Sequence, residues 1–186
     1  MTGPLAAADR FAAAATPARL ALSLLGVLLA FGLVTLVHAP IEAVIREGTC
    51  AGLDCLRPLR PDTRQGGYGA ADFRLYLDAI WGLRDRALFG VLADLPLIAA
   101  VTAALLIAAG LARRDIPLGE RTATLLVGIP LAYAGADLLE NLALAIAYAG
   151  LADMAPVLPW ITAMKFGTAV ASGAVSAIIG LLRLAA

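Results

Sequence analysis

The sequence predicts an all-α integral membrane protein: a single domain of four transmembrane helices, with a long outer loop over residues 39–87 between the first two. Composition is the first observation behind this. The 186-residue chain is 61% hydrophobic and only 15% charged, against roughly 45–50% and about 25% in soluble domains. The second is four apolar runs, each long enough for a hydrocarbon core of about 30 Å, which takes about 20 helical residues. The third is the texture of those runs. They are rich in Ala, Gly and Leu and lack the apolar–polar alternation of a membrane β-barrel, so they read as closely packed helices. Fourteen basic and fourteen acidic residues cancel, which excludes a nucleic-acid partner and a polybasic surface binder.

The first span covers about 20–38 and carries no charge before His38. Its apolar run exceeds the roughly 7–15 residues of a signal-peptide core, and the candidate cleavage site Val37-His38-Ala39 is followed by Pro40, so it reads as a retained helix. In the loop that follows, the only two cysteines, Cys50 and Cys55, are expected to form a disulfide in an oxidising compartment. No histidine or third cysteine accompanies them in that loop, so no metal site is expected. Residues Asp72 to Arg86 place Phe73, Leu77, Ile80 and Trp81 at helical spacing, which predicts an amphipathic surface helix. The remaining spans cover about 88–112, 123–149 and 157–182.

Orientation follows from the short loops. The connector 113–121 holds Arg113, Arg114 and Arg121, whereas 150–156 holds no basic residue. The positive-inside rule then puts both termini in the cytoplasm of a bacterial inner (plasma) membrane. The loop 39–87 is outside, although it contains seven arginines beside seven acids.

Polar residues inside the spans are the candidate site. At a rise of 1.5 Å per residue, Asp94 lies roughly 9 Å below the outer end of its span, Glu140 and Asn141 roughly 12–14 Å, and Lys165 near 12 Å. Asp137 is deeper, and His38 marks the outer boundary. Asp137, Glu140 and Asn141 fall within about 100° of helical arc, and Tyr133 and Tyr148 extend that stripe. Lys165, Thr168, Ser172 and Ser176 share a face of the fourth span. Charge facing lipid costs about 2.5–3.5 kcal/mol per group on insertion scales, so these faces point inward. Lys165 is the only lysine in the chain. It needs a counter-ion, and Asp94 is the expected one, being the only acid of its span. Three acids against one lysine leave an excess negative charge for a proton, a cation or a ligand to neutralise. Asp94, Asp137, Glu140 and Lys165 are the candidate acid–base groups. Asn141, His38, Tyr133 and Thr168 are candidate ligand contacts. The blander reading, hydrogen-bonding glue between helices, fits Asn141, the serines and Tyr148 as well as a site does. Pro96 frees a backbone carbonyl one turn earlier, close enough to Asp94 to join the site.

The pattern Gly67-Tyr68, Leu77-Asp78-Ala79-Ile80-Trp81-Gly82, Ala93-Asp94-Leu95-Pro96, Asp137-Leu138-Leu139-Glu140-Asn141 and Lys165 resembles a family of uncharacterised bacterial four-helix integral membrane proteins. They share a D-x-x-E-N motif in the third span and a lysine in the fourth. The resemblance covers residues 67–170; it implies a site and no reaction.

No Walker loop, H-E-x-x-H, G-x-S-x-G or E-x-x-H pair is present, so no cofactor is identified. A single histidine excludes bis-histidine haem within one chain. Three functions remain. The preferred one is binding, with or without chemical transformation, of a lipid-like or amphiphilic molecule from the outer leaflet. The second is a proton- or ion-coupled transport element, which with four spans and no internal repeat would work as a homo-oligomer. The third is an accessory subunit of a larger membrane complex, packed through the small-residue faces Gly26, Ala30 and Gly173, Ala177, Gly180.

Overall fold

A computed structural model describes residues 3–49, 60, 67–114, 116 and 118–185. Among them the chain is helical throughout: α1 Pro4–Ala13, α2 Pro17–Thr49, α3 Ala70–Ala79, a 3-10 turn Trp81–Leu83, α4 Arg84–Ala112, α5 Glu120–Tyr148 and α6 Leu158–Ala185. Four of these, α2, α4, α5 and α6, are long and apolar enough to cross a membrane, as in a multi-pass membrane protein. Their outward surface agrees. Leu22, Leu28, Leu29 and Leu36 of α2, Leu92 of α4, Leu142 of α5 and Val170, Leu181 and Leu182 of α6 are all exposed. A contiguous apolar surface of that extent is foreign to water-soluble monomers.

Helix α4 is the hub, packing on α2, α5 and α6, while α5 and α6 form the closest remaining pair. Gly26 of α2 faces Ala100 of α4 at contact distance, so that small-residue face is used within the chain. Gly173 and Gly180 of α6 face open space.

The two ends of the bundle are plugged differently. At one end Gly3-Pro4 starts α1, with proline at a position where its missing N–H costs nothing. Ala8 and Ala12 then pack on Leu106 and Val127. Gly110 is required there, because a Cβ would overlap the Ala12 carbonyl. Arg113 holds Asp9 by an ion pair of 2.6 Å, and Arg114 donates to the Ala15 carbonyl at 3.0 Å. At the other end Asp72 accepts from the Gly69 N–H at 2.8 Å and fixes the start of α3. Phe73, Tyr76 and Ile80 are buried against Ile41 and Ile45 of α2, Ala87 of α4 and Leu144 and Tyr148 of α5. Replacing a fully buried Phe such as Phe73 by Ala costs about 3–5 kcal/mol in comparable cores, so α3 is a firm plug.

Several expectations are corrected. Helix α2 does not stop at His38; it continues through Pro40 to Thr49, so the loop 39–87 is largely helical at both of its ends. His38 is therefore mid-helix rather than at a boundary. The amphipathic element is α3, shorter than Asp72 to Arg86, and Tyr76 fills the place assigned to Trp81. Trp81 is 69% exposed, with the Arg84 guanidinium 4.0 Å from its ring centroid. The Cys50–Cys55 pair lies outside the described residues.

Candidate functional site

Helix α5 carries the centre of the site. Residues on one turn of a helix point 100° apart for each step, so neighbours address different partners. Asp137 and Glu140 meet α6, and Asn141 meets α4. Lys165 Nζ lies 2.6 Å from Glu140 Oε2 and 2.8 Å from Asp137 Oδ1. The expected pairing of Lys165 with Asp94 is thereby corrected: depth alone does not distinguish neighbours on α4 from neighbours on α5, and α5 packs closest on α6.

The cluster is sealed. Glu140 has no exposed surface, and the side chains of Asp137 and Lys165 are 3% and 13% exposed. Polar contacts continue on both sides. Tyr133 donates to Asp137 Oδ2 at 2.7 Å from one turn earlier. Thr162 donates to Glu140 Oε1. The Tyr68 hydroxyl lies 2.9 Å from Thr162 Oγ1; since the threonine proton is given to Glu140, Tyr68 is the donor of that link. Six side chains, Tyr68–Thr162–Glu140–Lys165–Asp137–Tyr133, thus form one unbroken chain. It starts just before α3 and ends roughly 22 Å along α5 from Tyr148. Beyond Tyr133, towards the end plugged by α1, Ser172 and Ser176 are buried. The hydroxyls of Ser176 and Thr102 have no hydrogen-bond partner among the described residues.

Two carboxylates on one ammonium leave one negative charge in excess. An isolated buried charge costs far more than a hydrogen bond returns.

On its α4 side, α5 builds a second group. Asn141 Nδ2 donates to Asp94 Oδ2 at 3.0 Å and makes a longer contact, 3.5 Å, to the Val91 carbonyl. This is the neighbour of the Leu92 carbonyl that Pro96 frees. His38 Nδ1 donates to the Val34 carbonyl at 2.9 Å, which turns Nε2 to the Gly90 side. The imidazole occupies the space over Gly90, where a Cβ would overlap it. A shallow crevice with enclosed room for about one water is lined by His38, Gly90, Asp94, Asn141 and Tyr148.

The candidate residues thus divide. Asp137, Glu140, Lys165 and Tyr133 come together in the chain, and Asp94, Asn141 and His38 around the crevice. Thr168 joins neither; its hydroxyl donates within its own helix, to the carbonyls of Met164 and Lys165. Thr162 and Tyr68 were not among the sequence candidates. Thr162 stands three residues before Lys165, one helical turn away on the same face, and that spacing was the available signal. Outside the long helices, the hydrogen bond from Arg74, 2.7 Å, holds the Asp153 carboxyl below the usual carboxylate range, and the Ala155 N–H adds to it. Family models, curated proteins and solved structures were all compared with the chain, and none matches it.

Proposed function

We propose that the chain is a multi-pass protein of a bacterial inner membrane, both termini cytoplasmic, and that the Asp137–Lys165–Glu140 cluster holds an exchangeable proton reached from the α3 side. This is the proton-coupled reading. The observation that carries it is the pairing of two buried carboxylates with a single ammonium, continued by hydroxyl groups to Tyr68. Glue between helices needs neither charge nor a chain of such length, since hydroxyls do that work at lower cost. The orientation is supported by Arg113 and Arg114 in the short connector beside α1, on the side the positive-inside rule gives to the cytoplasm. Reporter fusions at Gly119 and Gly150 test it; periplasmic activity at Gly119 contradicts it.

The crevice favours a second reading, the amphiphile-binding one, with the polar end of the ligand between α2 and α4. Its enclosed space is that of about one water, so an amphiphile would reach it only with the tip of its polar end. Infrared difference spectroscopy tests the first reading. Wild-type protein at neutral pH should show a protonated-carboxyl band that Glu140→Gln or Asp137→Asn abolishes. A wild-type spectrum without such a band contradicts the shared proton.

A further inference from the structure

We infer that the turn between α1 and α2 is a binding site for the phosphate of an anionic phospholipid, held by Arg19 and Arg114. The two side chains come from different parts of the chain and meet on consecutive peptides. Thr16 Oγ1 accepts from the Arg19 N–H at 3.2 Å and fixes the first turn of α2. From there Arg19 Nη1 reaches back to the Ala14 carbonyl at 2.7 Å. Arg114, just past the end of α4, donates from Nη2 to the Ala15 carbonyl at 3.0 Å. Consecutive Cα atoms are about 3.8 Å apart, so the two guanidiniums are neighbours. Both carbonyls lie just past Ala13, the last residue of α1, where a helix presents its negative pole and draws cations.

The charge of this pair is not matched by acids. Arg113, the third arginine nearby, is satisfied by Asp9: its Nη1 meets Asp9 Oδ1 at 2.6 Å and its Nη2 the Asp9 carbonyl at 3.1 Å. Arg19 and Arg114 have no carboxylate partner among the described residues; carbonyls hold them, and each spends one of its five N–H donors there. Segments 9–19 and 113–115 together hold four arginines and two acids, so positive charge is in excess at this end. Both side chains are exposed, and their remaining donors are within reach of a ligand. A phosphate oxyanion matches them, because each planar fork grips two oxygens at once, in charge-assisted bonds about twice as strong as neutral ones.

The surroundings favour a lipid over free phosphate. Leu22, one helical turn beyond Arg19, and Leu29 are exposed on α2, and Phe11 is exposed on α1. A lipid phosphate at the level of Arg19 brings its acyl chains onto those leucines, the nearest about 4.5 Å further along the helix, whereas free phosphate leaves them uncovered. Basic pockets between membrane helices take anionic head groups in this way. A zwitterionic lipid brings a cation of its own, which two guanidiniums repel. The inference rests on neither the proton-exchange reading nor the orientation of the chain.

The test uses the full chain in an uncharged detergent. Phosphatidylglycerol should raise Tm in a saturable manner, while phosphatidylcholine, and inorganic phosphate at equal ionic strength, should not. In native mass spectrometry wild type should retain phosphatidylglycerol over phosphatidylcholine. Arg19→Gln and Arg114→Gln should each weaken that preference by about tenfold, and Arg121→Gln, at an exposed arginine of the first turn of α5, should leave it intact. If a Gln variant does not fold, Arg19→Lys, which keeps the charge and gives up the fork, should still lower the preference. A preference retained without Arg19 or Arg114, or lost equally in Arg121→Gln, means diffuse attraction and overturns the site. Inorganic phosphate acting as strongly as phosphatidylglycerol, or no preference in wild type, overturns the lipid.

Discussion

The two sides of α5 differ by one residue number and by almost everything else. Glu140, turned to α6, sits without exposure in a cluster of two carboxyl groups and one ammonium. Asn141, turned to α4, holds a carboxylate with an amide beside an open crevice. The first side is sealed and connected end to end by hydrogen bonds. The second is open and contains a histidine. A D-x-x-E-N turn therefore divides two polar tasks that a flat reading of depth merges into one layer. Burial decides the difference: where water is excluded the charged groups must satisfy one another.

The largest effect that can break this comparison is at Lys165. Lys165→Met leaves Asp137 and Glu140 buried without their cation and should cost about 3–5 kcal/mol, read as a fall in Tm in detergent. A loss under about 1 kcal/mol would mean that the cluster is wet or not formed.

Next in size is the coupling between sides. In double-mutant cycles Glu140→Gln with Lys165→Met should fall well short of the sum of the single losses. Asp94→Asn with Lys165→Met should come nearer to additivity. Stronger coupling to Asp94 would restore the pairing read from depth alone.

That misreading shows what a sequence exposes. The spans were legible because apolar runs of this length have one solution in a membrane; α4, α5 and α6 begin and end within a few residues of expectation. The face of α5 was legible too, from 100° periodicity, and the Tyr133–Asp137 link follows from it. The partner of Lys165 was not, because depth and face on separate helices leave their mutual rotation undetermined. The end of α2 was misplaced because Pro40 and the charges after it resemble a loop. One proline removes a single backbone bond, and burial of Ile41 and Ile45 under α3 holds the helix past it. Helix α1 was missed because its ten residues are too short to span a membrane, although they are amphipathic with Ala8 and Ala12 turned inward.

A smaller effect belongs to the crevice side. Gly90→Ala should displace the His38 ring and cost about 1–3 kcal/mol by overpacking, read as a fall in Tm. An unchanged Tm would show that the ring moves aside without cost.

The smallest effect lies at the surface, where Arg74 and Asp153 pair at 2.7 Å with both side chains about half exposed. The folded carboxyl titrates below its ordinary value of 3.8. Its contribution is present above that value and is lost as pH falls through the lower folded one. Arg74→Ala should return the Asp153 titration to the ordinary range, followed by NMR of the carboxyl carbon, and leave Tm above pH 5 essentially unchanged. A large fall in Tm would make this pair a clasp on α3 rather than a solvated contact.

The central claim is that the sealed cluster exchanges its proton along the chain ending at Tyr68. Transfer from H₂O into D₂O, with the buried protonated-carboxyl infrared band followed in time, measures this directly. Wild type should exchange within seconds, and Tyr68→Phe, which removes the terminal hydroxyl and leaves the ring, should slow exchange by at least about tenfold. A band that persists for hours in wild type, or exchanges equally fast in Tyr68→Phe, would contradict the account and leave the cluster as a structural staple.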